Sequence, residues 1–336
     1  MKILLTGGAG FIGINFINYV LTNHADYFIT VFDAMDYSSN PEAIEQFKKF
    51  RNFDFIKGDI RDYAHVNKVM KKVNVVINFA AETHVDRSIM TPTIFFDTNV
   101  KGVVNLLNAA LENKIDRFIQ ISTDEVYGSI DKGRSKETDV LNPTSPYSSS
   151  KAAADLIVLS YHKTFGLPAI ITRSSNNFGP YQYPEKFMPL FITNAIQNQK
   201  LPLYGDGKNV RNWIYVEDNC RGIDIALHKG KPGGIYNIGG DVEIKNVEVV
   251  DCILNIMGKG TNLIQRVKDR PAHDKRYALD SGKIKKLGWK NEFNFKEALR
   301  KTIDWYVENK DWWHKRKSKS FKKYYDNWYK KQRGLK

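Results

Sequence analysis

Apolar positions in the first half of the chain follow two alternating rhythms. Short continuous runs at Lys2–Thr6, Phe28–Phe32, Phe53–Ile56, Val73–Phe79 and Arg117–Ser122 have the length of buried strands. Between them lie stretches spaced for one helix face, the clearest at Phe11–Leu21. Strand and helix in regular succession predict a parallel sheet with helices on both faces, because parallel neighbours need a crossover between them. Leu167–Thr172 reads as a later strand of that sheet. From about Ser175 the rhythm breaks, and Pro180, Pro184, Pro189, Pro202, Gly205 and Gly207 punctuate shorter elements. The expected organisation is a doubly wound α/β lobe over residues 1–175, receiving crossover strands from later in the chain, and a smaller α/β lobe over 176–310. A late amphipathic helix, Phe295–Asn309, precedes a tail over 311–336.

Composition narrows the class. Of 336 residues, 42% are hydrophobic and 26% charged, an ordinary balance that argues against wholesale disorder. No run of about 18 apolar residues predicts a membrane span, and Lys2–Thr6 leads into a glycine turn rather than a secretory apolar segment. With only Cys220 and Cys252 there is no cysteine framework, so a reducing, cytoplasmic setting is expected. The seven histidines show no metal-ligand spacing, and no metal is expected. The net charge of +14 is uneven: residues 311–336 hold ten Lys/Arg against two Asp, interleaved with Trp312, Trp313 and Trp328. The ordinary reading is a solvated basic extension. A nucleic acid is not the expected partner, although such a tail leaves one open.

Gly7, Gly10 and Gly13 form G-x-x-G-x-x-G between the first strand and the first helix. That placement gives a tight turn, close approach of backbone to a pyrophosphate, and a helix N-terminus aimed at it. Asp33 ends the second strand twenty residues after Gly13. A carboxylate there accepts from the adenosine ribose hydroxyls and repels a 2′-phosphate, which favours NAD over NADP. The expected fold is therefore of Rossmann type. Asp59-Ile60, closing the third strand, suits the edge and face of an adenine.

Tyr147 and Lys151 stand four apart ahead of the helical pattern Ala152–Leu159, so they share a helix face. An ammonium beside the phenol would lower its pKa and let it take a proton from a hydroxyl whose carbon is losing hydride. Ser122-Thr123-Asp124-Glu125 follows another strand, and sites in open α/β sheets lie beyond the strands' carboxyl ends. Two adjacent carboxyls in one cleft can hold different protonation states, one as acid and one as base. The bland alternative is a pair of solvated loop carboxylates.

These pieces together resemble the extended short-chain dehydrogenase/reductase superfamily: Gly7-Gly8-Ala9-Gly10-Phe11-Ile12-Gly13, the Tyr147/Lys151 pair, and Ser122 through Gly128. Within it the chain resembles the nucleoside-diphosphate-glucose (NDP-glucose) 4,6-dehydratases. Phe79 to Asp86, Ser174 to Pro189, Leu201 to Gly207, Asn209-Val210-Arg211, Tyr236 to Gly239 and Arg270 to Asp274 carry the likeness across roughly residues 1–310, leaving the tail outside it. Sugar 4-epimerases of the same fold usually have small residues in place of Asp124 and Glu125. An epimerase is one alternative, and a non-catalytic nucleotide-binding scaffold is another.

The resemblance implies a reaction. Tyr147 would deprotonate the 4-hydroxyl while hydride moves from C4 to NAD, and Thr123 would hydrogen-bond the 4-oxygen. Glu125 would then remove the acidified C5 proton, Asp124 would protonate the departing 6-hydroxyl, and hydride would return to C6. It also implies NAD contacts at Gly7, Gly10, Phe11, Ile12, Gly13, Asp33, Ala34, Met35, Asp36, Asp59, Ile60, Phe79, Ala80, Ala81, Thr98, Tyr147, Lys151 and Asn177. Substrate contacts are implied at Thr83, Thr123, Asn176, Lys186, Phe187, Pro202, Leu203, Tyr204, Arg211, Asn246, Arg270 and His273. In that set Arg211 and Arg270 offer planar donors to a diphosphate, and Tyr204 can face the nucleobase. The run Asp36-Tyr37-Ser38-Ser39 is closer to the eukaryotic-type branch, which points to UDP-glucose, with dTDP-glucose left open. The product would feed rhamnose-type deoxysugar synthesis. The family's usual homodimer would form through helices around Thr91–Asn113 and Ser148–Phe165.

Overall fold

Seven parallel strands make the central sheet of the computed structural model, which describes residues 1–336. They are β1 (Lys2–Thr6), β2 (Phe28–Asp33), β3 (Phe53–Lys57), β4 (Val75–Asn78), β5 (Arg117–Thr123), β6 (Ala169–Ser174) and, from much later in the chain, β10 (Ile235–Ile238). Their spatial order is β3-β2-β1-β4-β5-β6-β10. The chain therefore winds outward in both directions from β1, and the turn after β1 sits at the switch point where a crevice opens. The doubly wound α/β expectation holds. The strand expected at Leu167–Thr172 begins two residues later, since Pro168 has no N–H for the ladder.

Each face of the sheet has its own core. Helices Phe11–Asn23 and Val216–Lys229 cover one face over Ile3, Leu5, Ile29 and Val31. Helices Tyr63–Met70, Val103–Glu112 and Pro146–Phe165 cover the other over Leu4, Val76, Phe118 and Ile171. The remaining strands form two small sheets in a second lobe. One is β7 (Asn176–Phe178), β9 (Val210–Tyr215) and β11 (Val242–Lys245). The other pairs β8 (Leu201–Tyr204) with β12 (Ile264–Val267).

Two helices bear on the site. Pro146–Phe165 starts with Pro146 in its first turn and a Ser145/Ser148 capping box, and it stops at Gly166 in the left-handed region. The pattern expected as one helix around Thr91–Asn113 is instead three pieces. Pro92–Phe96 and Val103–Glu112 flank a π-helical turn, Asp97–Gly102. Such turns re-aim side chains within a helix, and this one carries Thr98 and the buried Asn99.

Beneath the end of β5, Asp155 and Arg173 form an ion pair at 2.8 Å with side chains 0% and 2% exposed. Ser122 also donates to Asp155, and Arg173 donates to the Tyr127 hydroxyl, tying β5, β6 and the long helix together. Removing one partner leaves a buried charge uncompensated. Asp155→Ala is expected to destabilise the protein by about 3–5 kcal/mol, read as a shifted denaturant midpoint with an unchanged slope.

The tail corrects the expectation of a solvated extension. Helices Lys310–Arg316 and Lys319–Tyr325 and the π-helical Asp326–Gln332 turn their aromatic residues inward. Trp313, Phe321, Tyr324, Trp328, Tyr329 and Leu335 are buried in one cluster with Phe191, Leu201, Leu299 and Tyr306. Arg316 pairs with Glu42 at 2.7 Å, and the Trp312 indole donates to Asn40. Charge counting hid an amphipathic pattern whose lysines, apart from the half-buried Lys317, face water and whose rings complete the second lobe's core.

Candidate active site

At the carboxyl ends of the sheet strands the two lobes enclose a cavity of about 350 Å³. Its floor is the turn after β1. Gly7 has φ +66°, and a Cβ there would lie 2.4 Å from the Ala80 nitrogen; one on Gly13 would lie 2.7 Å from the Gly8 Cα. Only glycine lets the turn lie this close to both. Helix Phe11–Asn23 then starts with no side chain capping it, so its first N–H groups and its dipole face the cavity.

Asp33 is held in place from three sides. One oxygen accepts from Met35 N (2.8 Å) and Ser39 Oγ (3.0 Å), the other from Ala9 N (3.0 Å). Burial pushes its carboxyl up. Asp59 is bridged by Arg61, whose hydrogen bonds hold that carboxyl down. Gly7, Gly10, Phe11, Ile12, Gly13, Asp33, Ala34, Asp36, Asp59, Ile60, Phe79, Ala80, Ala81, Thr98 and Asn177 all line the cavity. Met35 does not. At φ +58° it packs, partly buried, against the core under the sheet.

The chemistry gathers where β5 ends. Thr123 closes the strand, and its hydroxyl oxygen accepts from Glu125 N and donates to Asp124 Oδ1 at 3.1 Å. A 3-10 turn, Asp124–Tyr127, follows and carries both carboxyls into the cavity. Burial, then the neighbouring Glu125, push the Asp124 carboxyl up to about 8. Its Oδ2 is buried without a partner, a position for the retained proton. Burial also raises Glu125, against which the guanidiniums of Arg270 and Arg211 and the Lys186 ammonium act.

Tyr147 and Lys151 line the same cavity one helix turn apart. The expectation that Lys151 lowers the Tyr147 pKa is corrected. The Lys151 ammonium donates to the Ile121 carbonyl at 2.6 Å, and burial brings it down to about 8. Burial, with Glu125, Asp124 and Asp155 adding to it, holds the Tyr147 phenol above its ordinary value, and the Thr123 hydroxyl opposes.

The expected substrate residues divide into two groups. Thr83, Thr123, Asn176 and Lys186 line the cavity, with the Lys186 ammonium donating to the Thr83 carbonyl at 2.7 Å. Phe187, Pro202, Leu203, Tyr204, Arg211, Asn246, Arg270 and His273 lie outside it. Phe187 stacks on Trp213, Arg211 lies over the Tyr277 ring and donates to the Asp274 carbonyl, and Asn246 is buried at a helix start. Arg270 pairs with Asp86 and His273 with Asp269. Of this second group, Tyr204 is in contact with the tail, through Trp328 and Tyr329.

Sequence reasoning missed three features. Arg87, Glu185 and Tyr37 form a knot at the cavity mouth, with Arg87–Glu185 at 2.8 Å and Tyr37 donating to Glu185 at 3.0 Å. The Pro184-Glu185-Lys186 run was the available signal. Asp86 was quoted in a motif but given no role. His24, Asp224 and His228 meet at the far end of helix Phe11–Asn23, about 20 Å from the glycine turn at 1.5 Å per residue. Both His228 ring nitrogens there are already satisfied, by the Asp224 carbonyl and the Tyr27 hydroxyl.

Residues 4–302 match the family model described as GDP-mannose 4,6 dehydratase. The chain belongs to the NDP-glucose 4,6-dehydratases of the extended short-chain dehydrogenase/reductase superfamily. The dehydratase is 49% identical to the low-salt glycan biosynthesis protein Agl12 of Haloferax volcanii, across 91% of this chain and 99% of that one. It is 44% identical to a dTDP-glucose 4,6-dehydratase of Streptomyces niveus, across 95% and 96%. The crystal structure of DesIV, a dTDP-glucose 4,6-dehydratase from Streptomyces venezuelae with NAD and TYD bound, superposes with a TM-score of 0.92 at 43% identity, covering 94% of this chain and all of that one. No helix of the dehydratase is long and apolar enough to cross a membrane.

Proposed function

We propose that this dehydratase converts dTDP-glucose to the 4-keto-6-deoxy sugar nucleotide with NAD as a recycled cofactor. The observation that carries the reading is the adjacent Asp124 and Glu125 at the end of β5, sharing one cavity with Tyr147 and Lys151. The residues fit NAD. The Gly7–Gly13 turn and uncapped helix would hold its pyrophosphate, Asp33 its adenosine ribose, and Lys151 its second ribose. Asn177 Oδ1, buried and unpaired on the cavity wall, offers a further acceptor. Bound NAD supplies reversible hydride acceptance, oxidising C4 and later reducing C6.

The chain's own groups do the proton work. Tyr147 would take the 4-hydroxyl proton as its phenolate, the form that the positive charge of a bound nicotinamide would favour against the pull of burial, with Thr123 hydrogen-bonded to the same oxygen. The resulting ketone acidifies C5–H, and Glu125 removes that proton. Asp124, carrying its proton on the unpaired Oδ2, donates it to the leaving 6-oxygen, water departs, and Glu125 returns its proton to C5 when C6 is reduced. Each placed acid or base is worth about 10²- to 10⁴-fold in rate.

The test is a parallel assay on dTDP-glucose and UDP-glucose deuterated at C4, with products read by mass and sugar NMR. Deuterium arriving at C6 of a 4-keto-6-deoxy sugar supports the proposal, and formation of only the galactose epimer would make the chain an epimerase. UDP-glucose is the second reading, favoured by the Asp36-Tyr37-Ser38-Ser39 run. A single thymine methyl discriminates by only about 1–3 kcal/mol in an apolar pocket. Rhamnose-type deoxysugar synthesis in the cytoplasm is the setting proposed for the product.

A homodimer is part of the same proposal. Ile94 and Phe96 (38% and 42% exposed) and Leu156 and Phe165 (58% and 60%) leave apolar surface on the two helical segments beside the cavity. Leu156→Glu is expected to convert a dimer to a monomer in sedimentation velocity. A wild-type chain that sediments as a monomer counts against the assembly.

A further inference from the structure

The tail packs against Tyr204 and Asp86, beside the residues that the resemblance assigns to the nucleotide end of the substrate. Tyr204, Arg211, Arg270 and His273 do not line the main cavity, and the packing of the tail on Tyr204 is visible residue by residue. Tyr329 lies against one face of the Tyr204 ring, centroids 5.8 Å apart and planes within 25°; His273 meets Tyr204 edge-on at 5.8 Å. The Trp328 indole donates to the Tyr204 hydroxyl at 2.6 Å. A base stacked between two rings needs them ~7 Å apart, twice a ~3.5 Å contact, so Tyr204 and Tyr329 as placed leave no room for one.

Asp86 fastens the arrangement. One of its oxygens pairs with Arg270 at 3.2 Å; the other accepts from Tyr204 at 2.8 Å and from Tyr324 of the tail at 3.4 Å. Arg87, next in sequence, lies between the rings of Tyr37 and Tyr324, at 4.2 and 4.6 Å. Arg333 covers Trp328 at 4.3 Å and donates to the Asp269 carbonyl. All of these tail residues lie beyond residue 302, where the family match ends.

We propose that residues 319–336 are a strap across the nucleotide end of the substrate site, fastened through Tyr204 and Asp86, and that a nucleoside diphosphate enters by displacing it. The ligand competes with both fastenings. Its diphosphate offers Arg270 a bidentate anionic partner in place of Asp86, and its base claims the ring face that Tyr329 holds. The strap is thus an autoinhibitory contact that an incoming nucleotide must open. The inference rests on the proposed function together with the substrate contacts that the resemblance implies, with the base at Tyr204 and the diphosphate at Arg270.

Limited trypsin digestion of the NAD-loaded full chain tests it, because Lys319, Lys322, Lys323, Lys330 and Lys331 lie in the strap. Saturating dTDP or UDP is expected to speed cleavage within 319–336 severalfold while cleavage elsewhere slows or stays the same. Calorimetric binding of the nucleotide with unchanged or slower strap cleavage overturns the strap but leaves the substrate reading standing. Absence of any nucleoside-diphosphate binding overturns both. Trp328→Phe removes the indole donor to Tyr204 and is expected to lower KM for the sugar nucleotide about 2- to 10-fold, the worth of one hydrogen bond, with kcat unchanged. An unchanged or raised KM shows that the tail completes the site rather than obstructing it.

Discussion

Glu125→Gln is expected to stall the reaction after C4 oxidation. The amide keeps the shape of the side chain but cannot take the C5 proton. Tyr147, Thr123 and the glycine turn are untouched, so the 4-keto hexose still forms and stays bound. Acid quench followed by mass analysis should reveal it, and wash-in of solvent deuterium at C5 should fall by about 10²- to 10⁴-fold. Arg270, Arg211 and Lys186 act to keep Glu125 ionised against the pull of burial, which is the state a base needs. Turnover at the wild-type rate in this variant would remove Glu125 from the mechanism.

The second large effect is a pH dependence set by Asp124. The residue must be protonated to donate to the 6-oxygen, and burial with Glu125 alongside holds its carboxyl at about 8. The donor form therefore persists through neutrality and is lost above it. The elimination rate should drop about tenfold per pH unit beyond pH ~8. Asp124→Asn should lower kcat by about 10²- to 10⁴-fold and abolish that limb of the profile. The same shift acts on folding. An unfolded Asp titrates near ~3.9, so the raised folded value contributes stability at low pH that is lost as pH rises from about 4 to about 8. Denaturant midpoints of wild type and Asp124→Asn should differ in slope across that window. A parallel pair of curves, with the alkaline limb intact in the variant, would assign the limb to another group.

Much of the site was legible because its chemistry is local in the chain. The spacing Gly7, Gly10, Gly13, the carboxylate at Asp33, and the i,i+4 pair Tyr147/Lys151 are set by turn geometry and helix pitch, which neighbouring residues determine. Thr123, Asp124 and Glu125 were readable as a site because a parallel sheet presents its strand ends together. What misled was inference about environment. Lys151 sits one turn from Tyr147, but its ammonium donates a hydrogen bond to a carbonyl thirty residues away in sequence. The phenol feels burial and three carboxyls instead. The tail misled in the same way, its ten basic residues being visible and the contacts of its rings not.

The sequence by itself determined the α/β class, the dinucleotide turn, the two carboxyls and the tyrosine–lysine pair, because each follows from periodicity or short spacing. Only the tertiary structure decided which groups are buried together. It set the burial of Asp124 beside Glu125, which raises its carboxyl, the Asp155–Arg173 pair under β5, the π-helical turn at Thr98, and the tail folded across Tyr204. Those depend on segments as far apart as Asp86 and Tyr324, 238 residues in sequence, meeting in a low-dielectric interior, where desolvation and partner choice outweigh local preference.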